Sequence, residues 1–203
     1  MNYPDESIFH ARPRARHDDR VIMLYPGTLS SHQGLDVAVR AFARIRDRIP
    51  MAEFHIYGHG PEKGNLQSLI SSLSLEKSIF IEDTIPIDQI ATVMANADVG
   101  IIPKTDDPFG GEAFSTKILE FMSLGIPVIV SETRIDKFYF NDSVVKFFKP
   151  GDEKDLANCM LLLARDRALR ERLSINALTF VKDYAWEKKK SEYLELVDSL
   201  VRR

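Results

Sequence analysis

Two glutamates and a lysine lie close together in one short stretch of this sequence, around a predicted helix start. Glu112 and Glu120 are separated by seven residues, and Lys117 lies between them. An ionised carboxylate only accepts hydrogen bonds, so it suits a ligand group that donates twice, such as the vicinal diol of a ribose. Free N–H groups at a helix start attract anions. The stretch is therefore typical of a site for a polyol that carries phosphate.

The polar residues of this helix share one face. Lys117, Glu120 and Ser123 recur every third position in an otherwise apolar segment. Glu120 is not placed as a capping residue, because the residues three positions after Ser115 and Thr116 are apolar. Spacing alone leaves an alternative, an exposed Lys117–Glu120 pair of little energetic value.

Composition indicates an ordinary globular protein. The chain has 203 residues, 44% of them hydrophobic and 28% charged, which is enough for one large α/β domain. A net charge of −3 gives no electrostatic reason to expect nucleic acid as a partner. The single cysteine, Cys159, cannot form an internal disulfide and reads as a core residue. These features favour a reducing, cytoplasmic location.

Short apolar runs alternate with amphipathic segments from Val21 onward. This alternation predicts a doubly wound α/β fold with a mainly parallel sheet of about six strands. In such sheets, ligands bind at the carboxyl ends of the strands. The predicted strands are 21–26, 53–57, 79–82, 99–102, 127–130 and 144–148; the predicted helices are about 35–48, 63–74, 88–97, 116–124, 152–166, 167–183 and 186–201.

Three strand-to-helix junctions are candidate binding loops. The first loop (27–34) has two glycines and several hydroxyl groups suited to a diphosphate, although a generic turn explains them about equally well. The second loop carries Gly58 and Gly60, which with Gly64 resemble a dinucleotide-binding fingerprint, so a nicotinamide site is a minor alternative. The third loop (104–115) leads to the glutamates.

Metal-binding signals are weak. Asp106 and Asp107 follow a predicted strand, but adjacent acids of this kind usually lie in a solvated loop. His55 and His59 fall on a strand and its turn rather than on one helix face. We expect no metal and no cofactor.

The order of motifs from about Gly27 to Leu200 resembles the C-terminal, nucleotide-sugar-binding domain of the group 1 family of retaining GT-B glycosyltransferases. GTLSSHQG resembles the family's phosphate loop, FHIYGHGP its second-strand turn, and IPIDQIATVMANADVGIIP the helix and strand before the site. Glu112 and Glu120 match the family's two glutamates and are followed by GIPVIVS. KPGDEKDLANCMLLLARD and DYAWEKKKSEYLELVDSL resemble the closing helices.

The resemblance implies a role for each candidate residue. Glu120 would hold the ribose diol, and Glu112 would contact hydroxyls of the donor sugar. Backbone N–H groups at the helix start would meet the diphosphate, which the first-loop glycines would let the chain approach. The candidate catalytic residues are Glu112 and Lys117, and the candidate substrate-binding residues are Gly27, Thr28, Gln33, Gly34, Gly58, Phe114, Ser115, Thr116 and Glu120.

The first loop departs from the family pattern. Many relatives carry Arg and Lys where this sequence has Thr28 and Gln33. Uncharged side chains cannot neutralise a departing nucleoside diphosphate, so we hypothesise that Lys117 supplies the charge. The segment after Ser131 also lacks the glycine-rich form common in relatives, which leaves the donor-sugar contacts there open.

The resemblance also implies a missing partner domain. GT-B enzymes react between two domains, with the acceptor held largely by the N-terminal one. Residues 1–20 look like a linker from that domain, and residues 21–203 like the donor-binding domain. We therefore predict metal-independent, retaining sugar transfer from a nucleotide sugar, slow or absent in this chain alone because nothing positions the acceptor. A non-catalytic nucleotide-sugar-binding module and a nucleotide-sugar epimerase are the alternatives. Contact with the cytoplasmic membrane face through a full-length enzyme is a further expectation.

Overall fold

The computed structural model describes residues 3–183 and 186–201. The predicted linker (1–20) and the predicted donor-binding domain (21–203) each include a few positions outside these ranges and are therefore described only in part. Within this part of the chain, six strands form one parallel sheet in the order β3-β2-β1-β4-β5-β6. The direction in which successive strands are added to the sheet reverses between β1 and β4. In doubly wound sheets, ligands bind at such a reversal. The strands are β1 (Val21–Pro26), β2 (Ala52–Tyr57), β3 (Ile79–Glu82), β4 (Val99–Ile102), β5 (Val128–Ser131) and β6 (Lys146–Phe148).

Helices connect the strands and complete the chain, so the predicted doubly wound fold is confirmed. The predicted boundaries hold to within a few residues. Gly125 follows the fourth helix with φ 73°, the left-handed conformation that commonly ends a helix. The helices are α1 (Leu35–Ile45), α2 (Lys63–Ser72), α3 (Ile87–Ala95), α4 (Thr116–Ser123), α5 (Arg134–Tyr139), α6 (Glu153–Arg165), α7 (Arg167–Asp183) and α8 (Trp186–Val201).

Two details differ from the sequence prediction. The short helix α5 was not predicted; its start is fixed by the Thr133 side chain, which accepts a hydrogen bond from the backbone N–H of Asp136. The sixth strand begins at Lys146, because Val144 and Val145 enter the core before the chain joins the sheet.

The core is built on the central strands. Every residue of β4 and β5 is buried, as expected for parallel strands that are covered on both faces. On one side, Phe42 of α1 stacks on Phe54 of β2 with ring centroids 6.2 Å apart. Cys159 is buried in α6, and burial raises the pKa of its thiol to about 11, which is consistent with an unreactive core residue.

Residues 5–16, which we call the N-terminal strap, form neither a helix nor a strand but lie against the domain. The backbone N–H groups of Ala15 and Arg16 donate to the side-chain oxygen of Asn96, at the end of α3. The Arg14 guanidinium lies 2.6 Å from the carboxylate of Asp98, just before β4. The strap therefore follows α3 to the residue before β4. No helix among the described residues has the length and apolar character needed to cross a bilayer.

Candidate functional site

The three candidate loops meet at the carboxyl edge of the sheet. The N–H of Gly27 donates to the Tyr57 carbonyl at 2.7 Å, and the N–H of Leu29 donates to the His59 carbonyl at 2.9 Å. The first and second loops are thus joined backbone to backbone.

The glycines of the second loop are explained by this packing. A Cβ on Gly58 would overlap the carbonyl oxygen of Gly27, and one on Gly60 would overlap that of Leu29. A Cβ on Gly64 would meet nothing within 4 Å. In a dinucleotide-binding fingerprint the third glycine serves close helix–strand packing, which Gly64 does not. The spacing of these glycines therefore does not support a nicotinamide-binding site.

Gly34 brings the first and third loops together. Its φ of 62° is left-handed, and a Cβ there would overlap the carbonyl oxygen of Pro103. Nearby, the N–H of Thr105 donates to the His32 carbonyl at 3.0 Å. The N–H of Gly34 itself donates to the Ser31 carbonyl. Gly34 therefore allows the two loop backbones to approach closely, but its own N–H is already hydrogen-bonded within the first loop.

A cleft of about 290 Å³ opens beside the start of α4. Its charged lining comes from α4, and its other, mostly apolar, lining comes from the N-terminal strap, the ends of β1 and β2, the first loop, the segment after β3, and α3. Of the predicted site residues, Gly27, Thr116, Lys117 and Glu120 line it. The other lining residues are Phe9, Pro26, Tyr57, Thr84, Ile85, Ile87, Ile90 and Met94.

Lys117 and Glu120 are half-buried, so the alternative of an exposed pair is wrong. Burial raises the pKa of the Glu120 carboxyl, although attraction to Lys117 opposes the rise. Burial lowers the pKa of the Lys117 ammonium, and attraction to Glu120 again opposes the change. Desolvated charges interact more strongly with a ligand than exposed charges do.

Lys117 lies against the first loop. Its Nζ is 5.7 Å from the centre of the Tyr25 ring, a cation–π distance. A Cβ on Gly27 would overlap the Lys117 side chain, so this glycine makes room for the lysine. The Tyr25 hydroxyl lies 2.9 Å from both the Thr28 carbonyl and the side-chain oxygen of Gln33. Sequence reasoning missed Tyr25, although it is the aromatic residue nearest to Gly27 on the preceding strand.

The start of α4 carries unpartnered polar groups. Ser115 occupies the N-cap position without making a side-chain cap. Ser115 is only 8% exposed, and its hydroxyl has no hydrogen-bond partner among the described residues. The first N–H groups of any helix also lack partners within the helix. This end of α4 is therefore suited to an anion.

A buried ion pair that the sequence analysis missed anchors the third loop. The Lys104 ammonium donates to the Ala113 carbonyl at 2.6 Å and lies 2.8 Å from the carboxylate of Asp136. Thr133 donates its hydroxyl to the same carboxylate, and Ser131 donates to the Lys104 carbonyl, both at 2.7 Å. Burial raises the pKa of Asp136 while Lys104 opposes the rise. Nothing in local spacing connects a loop lysine with an aspartate on an unpredicted helix.

The remaining predicted residues are not among those that line the cleft. Glu112 is exposed, 3.5 Å from Arg134. The Phe114 ring packs edge-to-face on Tyr139, at 5.0 Å between centroids, and so secures the third loop through its side chain. Thr28 is exposed on the first loop.

Asp107, the second of the two adjacent aspartates, shapes the third loop. The Asp107 carboxylate accepts hydrogen bonds from the N–H groups of Phe109 and Gly110, at 2.9 and 2.8 Å. A hydrogen bond from the Thr105 hydroxyl is the largest cause of its lowered pKa. Over residues 3–183 and 186–201, no three His, Cys, Asp or Glu side chains are grouped to hold a metal ion.

The sheet order and the loops at its carboxyl edge define a Rossmann-like domain of GT-B architecture. The chain belongs to the family "Glycosyl transferases group 1", whose sequence model matches residues 7–180. It is 25% identical over 167 residues to alpha-D-kanosaminyltransferase from Streptomyces kanamyceticus, an alignment that covers 82% of this chain and 42% of that protein.

Solved structures agree with this fold. Sucrose-phosphate synthase from Thermosynechococcus elongatus matches with a TM-score of 0.86 and 21% identity, covering 98% of this chain and 51% of the synthase. HepE from Anabaena, solved in complex with UDP-glucose, matches with a TM-score of 0.83 and 18% identity, covering 98% of this chain and 56% of HepE. The chain spans less than half the length of the curated relatives it matches first.

Proposed function

We propose that this chain is the donor-binding domain of a retaining glycosyltransferase, which moves a sugar from a nucleotide-diphosphate sugar to an acceptor hydroxyl. The observation that carries the proposal is the half-buried pair of Lys117 and Glu120 in a cleft at the carboxyl edge of the sheet. Family membership and the complex of HepE with UDP-glucose support the choice of ligand class.

The cleft suits the nucleoside part of the donor. Glu120 would accept two hydrogen bonds from the ribose 2′- and 3′-hydroxyls, since an ionised carboxylate has only acceptors. The apolar residues Tyr57, Ile85 and Ile90 would pack against the base. A volume of about 290 Å³ is small for a ligand site and leaves the sugar outside the cleft.

The diphosphate would lie at the start of α4. There the first backbone N–H groups, including that of Thr116, carry the partial positive charge of the helix start and would donate to the phosphates. Lys117, next to the first loop, would supply the cation that Thr28 and Gln33 cannot. Together these groups would stabilise the departing nucleoside diphosphate without a metal ion.

Glu112 would act on the donor sugar. Its exposed carboxylate is accessible to a group that extends out of the cleft, and the family pattern places it on the sugar hydroxyls. The acceptor would come from an N-terminal domain to which residues 1–20 connect. Sugar transfer needs both reactants held in place, so we expect this chain alone to bind the donor and to transfer slowly or not at all. A cytoplasmic enzyme that meets its acceptor at the membrane face is part of this proposal.

Calorimetry with UDP, GDP, ADP and NAD tests the proposal. We expect binding of at least one nucleoside diphosphate and about a tenfold or greater loss of affinity in Glu120→Gln, as for removal of a charged hydrogen-bond partner. Glu171→Gln, at an exposed position on α7, is the matched control and should bind like the unmodified chain. Binding of NAD without any nucleoside diphosphate would refute the proposal.

A non-catalytic nucleotide-sugar-binding module is the second candidate. The uncharged Thr28 and Gln33 favour it, because Gln33 already contacts the Tyr25 hydroxyl and adds no charge near the diphosphate site. Slow release of free sugar from the donor by this chain would favour the enzyme, whereas tight binding with no turnover in the full-length protein would favour the module.

A further inference from the structure

Phe9 is part of the cleft wall, although it lies in a segment predicted to be a linker. Its side chain is only 4% exposed and belongs to the main apolar core. It lines the same cleft as Ile90, Met94 and Glu120. A residue of the N-terminal strap thus helps to enclose the carboxylate that we assign to the ribose.

A tight turn presents this ring to the cleft. The N–H of Phe9 donates to the Asp5 carbonyl at 2.8 Å. The Asp5 carboxylate in turn accepts from the N–H of Ser7 at 2.9 Å and from its hydroxyl at 2.6 Å. The turn therefore has its own backbone and side-chain hydrogen bonds.

The next part of the strap is fixed to α3. The Arg12 guanidinium donates to the Ile8 carbonyl and lies 3.5 Å from the Thr92 hydroxyl. Further on, Ala15 donates its N–H to Asn96 at 2.8 Å. Thr92 is on α3 and Asn96 is its C-cap residue, and α3 also contributes Ile90 to the cleft. The strap and α3 thus form one continuous wall.

We propose that Phe9 is a specificity-determining residue for the nucleoside part of the ligand. Because Phe9 is only 4% exposed, the ring fixes the shape of the cleft wall, and its small exposed part is an apolar contact for the base or ribose. It also excludes water from Glu120, which strengthens the hydrogen bonds between the carboxylate and the diol. Thr116 and Lys117, which we assign to the diphosphate, line the same cleft, but the Phe9 ring carries neither a charge nor a hydrogen-bond donor, so it acts on the nucleoside and not on the phosphates. This inference rests on the proposed function.

The test compares a ligand that has a nucleoside with one that lacks it. Calorimetry on the full chain would measure the tightest-binding nucleoside diphosphate of UDP, GDP and ADP, and inorganic pyrophosphate. We expect Phe9→Ala to weaken the nucleoside diphosphate by about tenfold, the scale of a lost aromatic contact, and to leave pyrophosphate within about twofold. Phe138→Ala, at a phenylalanine that is 78% exposed, is the matched control and should change neither affinity.

The outcomes separate this inference from the proposed function. If the unmodified chain binds no nucleoside diphosphate, both are overturned. If it binds one and Phe9→Ala binds it equally well, only the role of Phe9 is overturned. Equal weakening of both ligands also overturns that role, since it indicates general loss of structure. Should thermal melting show Phe9→Ala to be unfolded, Phe9→Leu decides in the same way, because it keeps apolar bulk and loses the ring.

Discussion

Lys104 and Asp136 form an ion pair of 2.8 Å in which both side chains are almost wholly buried. The same ammonium also donates to the Ala113 carbonyl, which lies one residue after Glu112. One positive charge thus fixes the third loop against α5, and the position of the loop depends on a residue that does not line the cleft.

Lys104→Met should destabilise the fold by about 3–5 kcal/mol, since it leaves the Asp136 carboxylate buried without its partner. Urea denaturation would measure this. Lys137→Met breaks an exposed pair with Glu132 and should lower stability far less than Lys104→Met does. The double variant Lys104→Met/Asp136→Leu should recover part of the loss, because no unpaired charge remains. Equal cost for Lys104→Met and Lys137→Met would contradict this account.

Ligand affinity should fall as the pH is lowered through the raised pKa of Glu120. Burial raises that pKa, so the carboxylate takes up a proton at a higher pH than the ordinary value of about 4.3. A neutral carboxyl cannot accept two hydrogen bonds from a diol as well as an ionised one does. Calorimetry from neutral pH downward should show the loss beginning above the ordinary range, and Glu120→Gln should retain only the pH dependence that comes from protonation of the ligand's own phosphate.

The contribution of Glu120 to folding stability should fall as the pH rises, whereas its contribution to ligand affinity should increase. Because the folded-state pKa is raised, this group contributes stability at low pH that is lost as the pH rises through the folded-state value. The difference in unfolding free energy between the unmodified chain and Glu120→Gln should therefore shift in favour of Glu120→Gln as the pH rises. A difference that is constant with pH would show that the carboxyl group is not perturbed.

Lys117→Ala should weaken a nucleoside diphosphate more than the corresponding nucleoside. The ammonium is assigned to the phosphates, and a charged contact in a partly desolvated site is worth about 1.5–3 kcal/mol, or about a tenfold to hundredfold change in affinity. Competition binding with both ligands would measure the difference. Lys154→Ala, at an exposed lysine of α6, is the matched control. Unchanged affinity in Lys117→Ala would refute the hypothesis that Lys117 replaces the basic residues absent at Thr28 and Gln33.

Alanine substitutions at three glycines should have unequal effects. Gly34→Ala and Gly58→Ala place a methyl group against a backbone carbonyl, and Gly34 is also left-handed, so each should lower stability by more than about 1 kcal/mol. Gly64→Ala faces open space on α2 and should raise stability by up to about 1 kcal/mol. Thermal melting of the three variants would measure these shifts. A lower melting temperature for Gly64→Ala than for the unmodified chain would contradict the finding that a methyl group fits at this position.

The sequence predicted the sheet and the main helices well, because apolar runs and helical periodicity are local signals. It also placed Lys117 and Glu120 on one face, which three-residue spacing requires. Helix α5 escaped prediction because it has only six residues and no apolar repeat. Phe9 is an isolated aromatic residue in a polar segment, so no pattern indicated its burial. The partners of Lys104 are set by tertiary packing, which local spacing does not report.

The interlocked backbones of the three loops have a consequence for how such a site diversifies. Loops usually tolerate insertions and deletions, which is a common route to new specificity. Here Gly34, Gly58 and Gly60 pack so closely against neighbouring carbonyls that not even a methyl group fits. A change in the length of the first loop, which makes all of these contacts, would therefore disturb its junctions with both other loops. Exchange of side chains, at accessible positions such as Thr28 or in the cleft wall at Phe9, changes the site without disturbing these junctions.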